Sequence, residues 1–279
     1  MAPTPKNLAS RLSKRGPHPV LRGDLALAGL PGTVYTPASG FSLPAVVFGH
    51  AWMTSTERYR DTLIHLASWG IVAAAPDTQR SPIASHLALA ADLRSAAEIC
   101  TGVRLGSGKI SVAPDRVAFA GHAMGAGAAV IAAAEHGSPA VAALFPAPTA
   151  PPAEKYAAHQ SGPALVLAGA EDIDSMNCNA RSLAEAWGGQ VILRSVDKAS
   201  GSGLTEGRAL FGALGLGGPQ RRTQHVTRAL LTGYLLYHLS GATEYAPFAT
   251  PGVEIPHTTL VSEEAETEGP DHTSQLPRG

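Results

Sequence analysis

The chain has 279 residues, of which 44% are hydrophobic and 15% charged, and its formal net charge is −1. This balance is typical of a globular protein and provides no basic surface field, which argues against nucleic acid as a partner. No segment approaches the ~20 uninterrupted apolar residues that cross a bilayer, and the basic N-terminus lacks the apolar run of a secretory signal, so we expect a cytoplasmic protein without a transmembrane segment.

The first 23 residues, MAPTPKNLASRLSKRGPHPVLRG, are basic and rich in proline. We expect residues 1–23 to form a frayed leader that precedes a single domain at 24–250. The alternative is a short amphipathic helix, with Leu8 and Leu12 on its apolar side, that lies on a membrane or partner surface.

Short apolar runs alternate with segments of helical spacing through the middle of the chain. Runs of this kind are typical of strands buried on both faces, and their alternation with helices predicts a doubly wound, mostly parallel sheet of the α/β class. The last predicted helix spans about Gln224 to Leu239. The predicted strands are Ala45–Phe48, Ile71–Ala75, Val117–Ala120, Val141–Phe145, Ala164–Ala168 and Val191–Val196.

Two segments differ in composition from the rest. Residues 251–279 are rich in Pro, Thr, Ser and Glu and poor in core-forming residues, which predicts a mobile acidic tail. The proline-rich segment at 145–163 lies between two predicted strands, where an α/β protein can carry a cap or rim loop.

The stretch RVAFAGHAMGAGAAVIAAA, at 116–134, predicts a strand, a sharp turn and a helix of small residues. Gly121 and Gly125 stand two residues on either side of Ala123, which is the spacing of the nucleophile elbow G-x-S-x-G. The stretch therefore meets the steric requirements of an elbow, but an alanine stands where the nucleophilic serine would be.

With the segment LPAVVFGHAWMTSTERYRDTLIHLASWGIVAAAPDT before it, this stretch resembles the α/β-hydrolase superfamily. The resemblance is to the branch of dienelactone hydrolases, chlorophyllases and polyester-cleaving cutinase-like enzymes, and it extends over roughly Leu30 to Phe248. It implies an α/β-hydrolase fold with a mostly parallel sheet of about eight strands, and ester hydrolysis by a serine, histidine and acid triad.

The same resemblance assigns positions to the remaining parts of the site. The backbone amides of Trp52 and Met124 fall where the family has its oxyanion donors. The family acid matches Asp172 or Asp174, and the sequence alone does not decide between them. The family histidine matches Gly201, so the base position is also without a catalytic group.

The sequence gives little indication of catalysis by another histidine, a metal ion or a cysteine. His50 and His122 flank the expected oxyanion loop and elbow, and we expect them to support the site or lie satisfied in the core. No metal-binding motif occurs, so we expect no metal and no cofactor. Cys178 follows the acid loop and is expected to be packed.

Three functional hypotheses follow. The leading one is a catalytically inactive α/β-hydrolase, a pseudoenzyme, whose pocket binds a small hydrophobic or ester-like ligand or a protein partner. The second is a carboxylic-ester hydrolase, similar to serine esterases and lipases, in which Ala123 has replaced the nucleophilic serine in this sequence. The third is a structural or assembly partner.

Overall fold

The computed structural model describes residues 3–207 and 218–261, which form a sheet with helices on both faces. The helices are α1 (Pro5–Leu12), α2 (Arg60–Ser68), α3 (His86–Gly102), α4 (Met124–His136), α5 (Glu154–Ala157), α6 (Ala180–Glu185) and α7 (Arg221–Ser240). The strands are β1 (Val20–Asp24), β2 (Gly32–Pro37), β3 (Gly40–Gly49), β4 (Val72–Pro76), β5 (Ile110–His122), β6 (Val141–Leu144), β7 (Ala164–Gly169), β8 (Val191–Val196) and β9 (Thr258–Leu260).

The nine strands follow the order β1-β2-β4-β3-β5-β6-β7-β8-β9. Neighbours from β4 to β8 pair in parallel, whereas β1, β2 and β9 pair antiparallel at the two ends. All six predicted strands are present and form the parallel part of the sheet. Three further strands, β1, β2 and β9, were not predicted.

Apolar side chains cover both faces of the sheet, as the uninterrupted runs predict. On one face, β3, β5 and β7 pack against α3, α4 and α6. On the other face, the alternate residues of the same strands pack against α1, α2 and α7. Because parallel strands end at one edge of the sheet, the loops after β3, β5, β6, β7 and β8 meet there and form the candidate site.

The expectation of a frayed N-terminal leader is wrong. Thr4 caps α1 by accepting a hydrogen bond from the backbone N–H of Asn7, and Leu8 and Leu12 are buried in the core on the α7 side of the sheet. The guanidinium of Arg11 donates to the hydroxyl of Tyr245 at 2.7 Å. The amphipathic helix therefore covers the protein's own α7, and residues 5–12 belong to the domain.

The prediction of a mobile tail from residue 251 is wrong for residues 251–261. Ile255 is buried, and β9 pairs with β8 through the registers Arg194 with Leu260 and Val196 with Thr258. The segment at 251–261 is thus packed onto the sheet despite its polar composition. The rest of the predicted tail, 262–279, lies outside the described residues.

Within residues 3–207 and 218–261, no helix has the length and hydrophobicity needed to cross a membrane.

Candidate functional site

The sharp turn predicted around Ala123 joins β5 to α4. Strand β5 ends at His122, α4 begins at Met124, and Ala123 between them has φ 51° and ψ −115°. The backbone N–H of Ala123 donates to the carbonyl of Leu144 on the neighbouring strand at 3.1 Å. A positive φ is strained for a residue with a Cβ, and strain of this kind concentrates at functional sites.

The glycines of the elbow allow three backbone segments to approach closely. A Cβ at Gly121 would overlap the carbonyl oxygen of Gly125, and a Cβ at Gly125 would overlap the carbonyl oxygen of Gly49 at the end of β3. Only glycine fits where the chain reverses between β5 and α4 and passes against β3. The geometry expected of G-x-S-x-G is therefore present around an alanine.

The methyl group of Ala123 faces a pocket of about 390 Å³ at the carboxyl edge of the sheet. Its wall combines apolar side chains with a few hydroxyl, amide and carboxylate groups, as is usual for small-molecule sites. The residues that line it are Ala51, Trp52, Thr54, His122, Ala123, Phe145, Pro146, Ala147, Asp172, Ser175, Asn177, Cys178, Gly201, Ser202 and Thr205.

The two aspartates of the acid loop lie in different environments. Asp172 lines the pocket, and its Oδ2 accepts a hydrogen bond of 2.6 Å from the backbone N–H of Gly201. Asp174 is exposed and pairs with Arg181 at 2.9 Å on α6. The structure thus brings Asp172, and not Asp174, next to the position that the resemblance matches to the histidine.

Gly201 lies at the start of a 3₁₀ turn after β8, and a Cβ there would meet Asp172 Oδ2 at 3.3 Å and the Cβ of Phe145 at 3.6 Å. A side chain at 201 would therefore press against the carboxylate slightly more closely than ordinary van der Waals contact allows. In this chain the space holds a glycine, and the carboxylate bonds to the backbone amide instead of to an imidazole.

His122 lines the pocket, and hydrogen bonds fix both of its ring nitrogens. Its Nε2 lies 2.9 Å from the carbonyl oxygen of Gly201, which only accepts, so Nε2 carries the proton. Its Nδ1 then accepts from the hydroxyl of Tyr59 at 2.7 Å, and that hydroxyl accepts from the backbone N–H of Ala51 at 3.1 Å. A continuous hydrogen-bonded chain therefore links Ala51, Tyr59, His122 and Gly201.

Burial determines the protonation states of His122 and Tyr59 in this series of hydrogen bonds. His122 is 3% exposed, and burial lowers its pKa to about 4, so the ring is neutral at pH 7. Burial also raises the pKa of Tyr59, which keeps the phenol protonated as the donor to Nδ1. With one ring nitrogen donating and the other accepting, His122 has no free lone pair with which to accept a proton.

The other three residues predicted near the site, His50, Trp52 and Met124, differ in burial and in hydrogen bonding. His50 is fully buried, with Nδ1 2.8 Å from the carbonyl of Ala51 and Nε2 2.7 Å from that of Thr78, so it braces the loop after β3. Trp52 is 53% exposed at the pocket wall, and its indole N–H donates to Pro82 at 3.3 Å. Met124 packs its side chain in the core, and as the first residue of α4 its amide has no acceptor within the helix.

Cys178 is half-buried at the pocket wall, and burial raises the pKa of its thiol. The thiol is therefore protonated at pH 7, which lowers its reactivity as a nucleophile. Among residues 3–207 and 218–261, no group of three or more His, Cys, Asp or Glu residues lies together as a metal site would require.

A sequence model of the dienelactone hydrolase family matches residues 30–194. The matched segment is more than half of the chain, and it contains the elbow and the acid loop. The chain belongs to the dienelactone hydrolase family. This membership confirms the resemblance and places the fold in the α/β-hydrolase superfamily. The match ends before Gly201, and no curated protein matches the chain.

Tyr59 belongs to the site through its hydrogen bond to His122, and no motif in the sequence predicts this role. Tyr59 and His122 are 63 residues apart in the sequence, although their side chains are hydrogen-bonded. The residues around Tyr59 show only the pattern of an ordinary helix start. The hydroxyl-bearing wall residues Ser202 and Thr205 were not predicted either: the resemblance placed Gly201 of the same loop in the site, but no local pattern indicates which neighbouring side chains line the pocket.

Proposed function

We propose that this member of the dienelactone hydrolase family is a binding protein without triad esterase activity, whose pocket at Ala123 holds a small uncharged apolar or ester-like ligand. The observation that carries the proposal is the hydrogen bond between Asp172 and the backbone N–H of Gly201. The carboxylate of Asp172 lies beside position 201, where the resemblance expects a histidine, but Gly201 has only a hydrogen in place of a side chain. At position 123, where a serine oxygen would attack, Ala123 has a methyl group.

Triad chemistry needs a nucleophile whose proton a base removes. Ala123 supplies neither oxygen nor sulfur. His122 lies next to it in sequence, but its Nδ1 accepts from Tyr59 and its Nε2 donates to Gly201. Loss of either member of a triad leaves only the small rate that oxyanion donors and binding supply, so loss of both supports an inactive site.

The pocket wall supports an uncharged ligand with one polar end. Trp52, Phe145, Pro146 and Ala147 provide apolar surface. The amide at the N-terminus of α4 is a donor suited to a carbonyl oxygen, because the first N–H groups of a helix lack intrahelical acceptors. The carboxylate of Asp172 disfavours a ligand anion close to Gly201.

The experiment is saturation-transfer NMR with methyl benzoate, a stable aromatic ester, together with an assay for its hydrolysis. We expect saturable binding to the unaltered protein with no methanol released. Ala147→Trp fills the pocket and is expected to abolish the transfer signal. The same substitution at Ala28, which is exposed on the 3₁₀ turn before β2, is the matched control and should leave the signal unchanged.

Three results would contradict the proposal. Methyl benzoate could fail to bind, or could bind equally well to the Ala147→Trp variant, which would remove the pocket as the binding site. Alternatively, the unaltered protein could hydrolyse the ester with a saturable rate that falls in Asp172→Asn, which would return it to the hydrolases.

A further inference from the structure

A second cleft lies on the opposite side of the sheet from α4, between α1, the first turns of α7 and the segment Ile255–His257. Its volume is about 510 Å³. It shares no lining residue with the pocket at Ala123, so an occupant of one does not contact the wall of the other.

The floor of this cleft is apolar. Ala229, Leu230 and Ile255 are buried there, and Ala9 and Val226 are half-buried at its sides. A hydrocarbon chain placed against this floor would be stabilised, because its methylene groups would be removed from water.

The rim of the cleft is basic. Lys6, Arg222, His225 and His257 line it, and no carboxylate does. A guanidinium nitrogen of Arg222 donates to Nδ1 of His257 at 2.7 Å, which holds both groups at the edge. Neither Lys6 nor Arg222 forms an ion pair within residues 3–207 and 218–261.

A buried arginine adds to this positive field. Arg194 lines an adjoining depression that shares Lys6 and His257 with the cleft, and Arg194 is 1% exposed. Its guanidinium donates only to neutral acceptors, the carbonyl of Val253 at 2.7 Å and the hydroxyl of Thr258 at 3.5 Å. Its Nε has no acceptor among the described residues. The charge is thus not balanced by a described carboxylate, although exposed Glu254 also lines the depression.

We propose that this cleft binds a single-chain amphiphile with an anionic head group, a carboxylate or a phosphate monoester. The head group pairs with Arg222 and Lys6 at the rim, and the alkyl chain lies on the floor between α1 and α7. Charge-assisted hydrogen bonds from an arginine fork suit either anion, and the apolar floor distinguishes an amphiphile from a free inorganic ion.

The test is isothermal titration calorimetry of the full chain with decanoate and decyl phosphate, with decanol and acetate as probes that lack the charge or the chain. We expect both anionic amphiphiles to bind at least tenfold more tightly than either partial probe. Arg222→Gln should weaken decanoate binding about tenfold, since it removes a charge-assisted pair. Arg221→Gln is the matched control on the neighbouring exposed residue, which does not line the cleft.

Several results would overturn the proposal. Decanol could bind as tightly as decanoate, or Arg222→Gln could weaken binding no more than Arg221→Gln. Ala147→Trp, which fills the pocket at Ala123, is expected to leave decanoate binding unchanged; if it abolishes binding, decanoate occupies that pocket instead. Failure of this proposal leaves the function proposed for the other pocket untouched.

A further variant tests whether the acidic end of the same chain competes for the cleft. Glu263, Glu264, Glu266 and Glu268 follow β9 in the sequence. A full-length variant with these four glutamates changed to glutamine should bind decanoate within twofold of the unaltered protein. Binding seen only in that variant would assign the cleft to the chain's own acidic segment and overturn the proposal.

Discussion

Ala123 holds a backbone conformation that is unfavourable for any residue with a Cβ, with φ 51° and ψ −115°. In an active hydrolase the strain of an elbow exposes the nucleophile. Here no nucleophile benefits from it, and the turn persists because the close contact of Gly121, Gly125 and Gly49 fixes the path of the chain.

Ala123→Gly is therefore expected to stabilise the protein, by up to about 1 kcal/mol, because glycine adopts positive φ without steric cost. Urea denaturation measures the change in the free energy of unfolding. Ala91→Gly, in the middle of α3, is the control and should cost about 1 kcal/mol. Equal destabilisation by both substitutions would show that the elbow is not strained.

The buried histidines make the stability depend on pH. The pKa values of His122 and His65 are each lowered to about 4 by burial, compared with 6.5 for an unperturbed histidine. Between pH 6.5 and 4 the unfolded chain binds more protons than the folded one, so the free energy of unfolding falls as the pH falls through this range. Each histidine accounts for about 3 kcal/mol of the loss, in order of magnitude.

His122→Gln should reduce this acid sensitivity, because an amide can still donate to Gly201 and accept from Tyr59 but does not titrate. Urea denaturation at pH 7 and at pH 4.5 gives the difference in the free energy of unfolding for each variant. His159→Gln changes an exposed histidine and should leave the difference as it is. An unchanged difference in His122→Gln would contradict the burial argument.

At the scale of elements, the sequence predicted the parallel strands because each is buried on both faces and is therefore uniformly apolar. The residues of β1, VLRGD, and of β9, TTL, are mostly exposed or half-buried and lie at the two ends of the sheet. Their strand conformation comes from pairing with β2 and β8, which local sequence does not reveal.

The candidate site, too, could be predicted only where it depends on local sequence. The turn at Ala123 follows from local glycine spacing, and it could be predicted. Which aspartate reaches Gly201 depends on a loop 29 residues earlier in the chain, and the partner of His122 lies on another element. Such long-range contacts leave no local pattern.

The packing of α1 gives a prediction at this scale. Leu12 is fully buried against the core beneath α7, so Leu12→Ala is expected to lower the free energy of unfolding by about 2–4 kcal/mol. Leu27→Ala is the matched control, since Leu27 is 91% exposed and its change should stay within about 0.5 kcal/mol. Urea denaturation measures both, and a negligible effect of Leu12→Ala would mean that α1 does not belong to the domain.

For the molecule as a whole, the fold brings five loops together at one edge of the sheet, those after β3, β5, β6, β7 and β8. The acid, the strained turn and the pocket are present. In the function that we propose, Ala123 and Gly201 stand at the positions of the attacking group and of the base; they lie 78 positions apart in the chain and line the same pocket. Because triad members act as a unit, restoring one of them should not restore activity.

The most direct test is the initial rate of p-nitrophenyl butyrate hydrolysis by three variants, Ala123→Ser, Gly201→His and the two changes together. Gly201 does not have a positive φ, and a Cβ at 201 would lie 3.3 Å from Asp172 Oδ2, so a histidine there requires the carboxylate to shift by a few tenths of an ångström. We predict that each single variant stays at the rate of the unaltered protein and that only the double variant hydrolyses the ester above it. Saturable hydrolysis by Ala123→Ser alone would contradict the account, because it would require a base other than a side chain at 201.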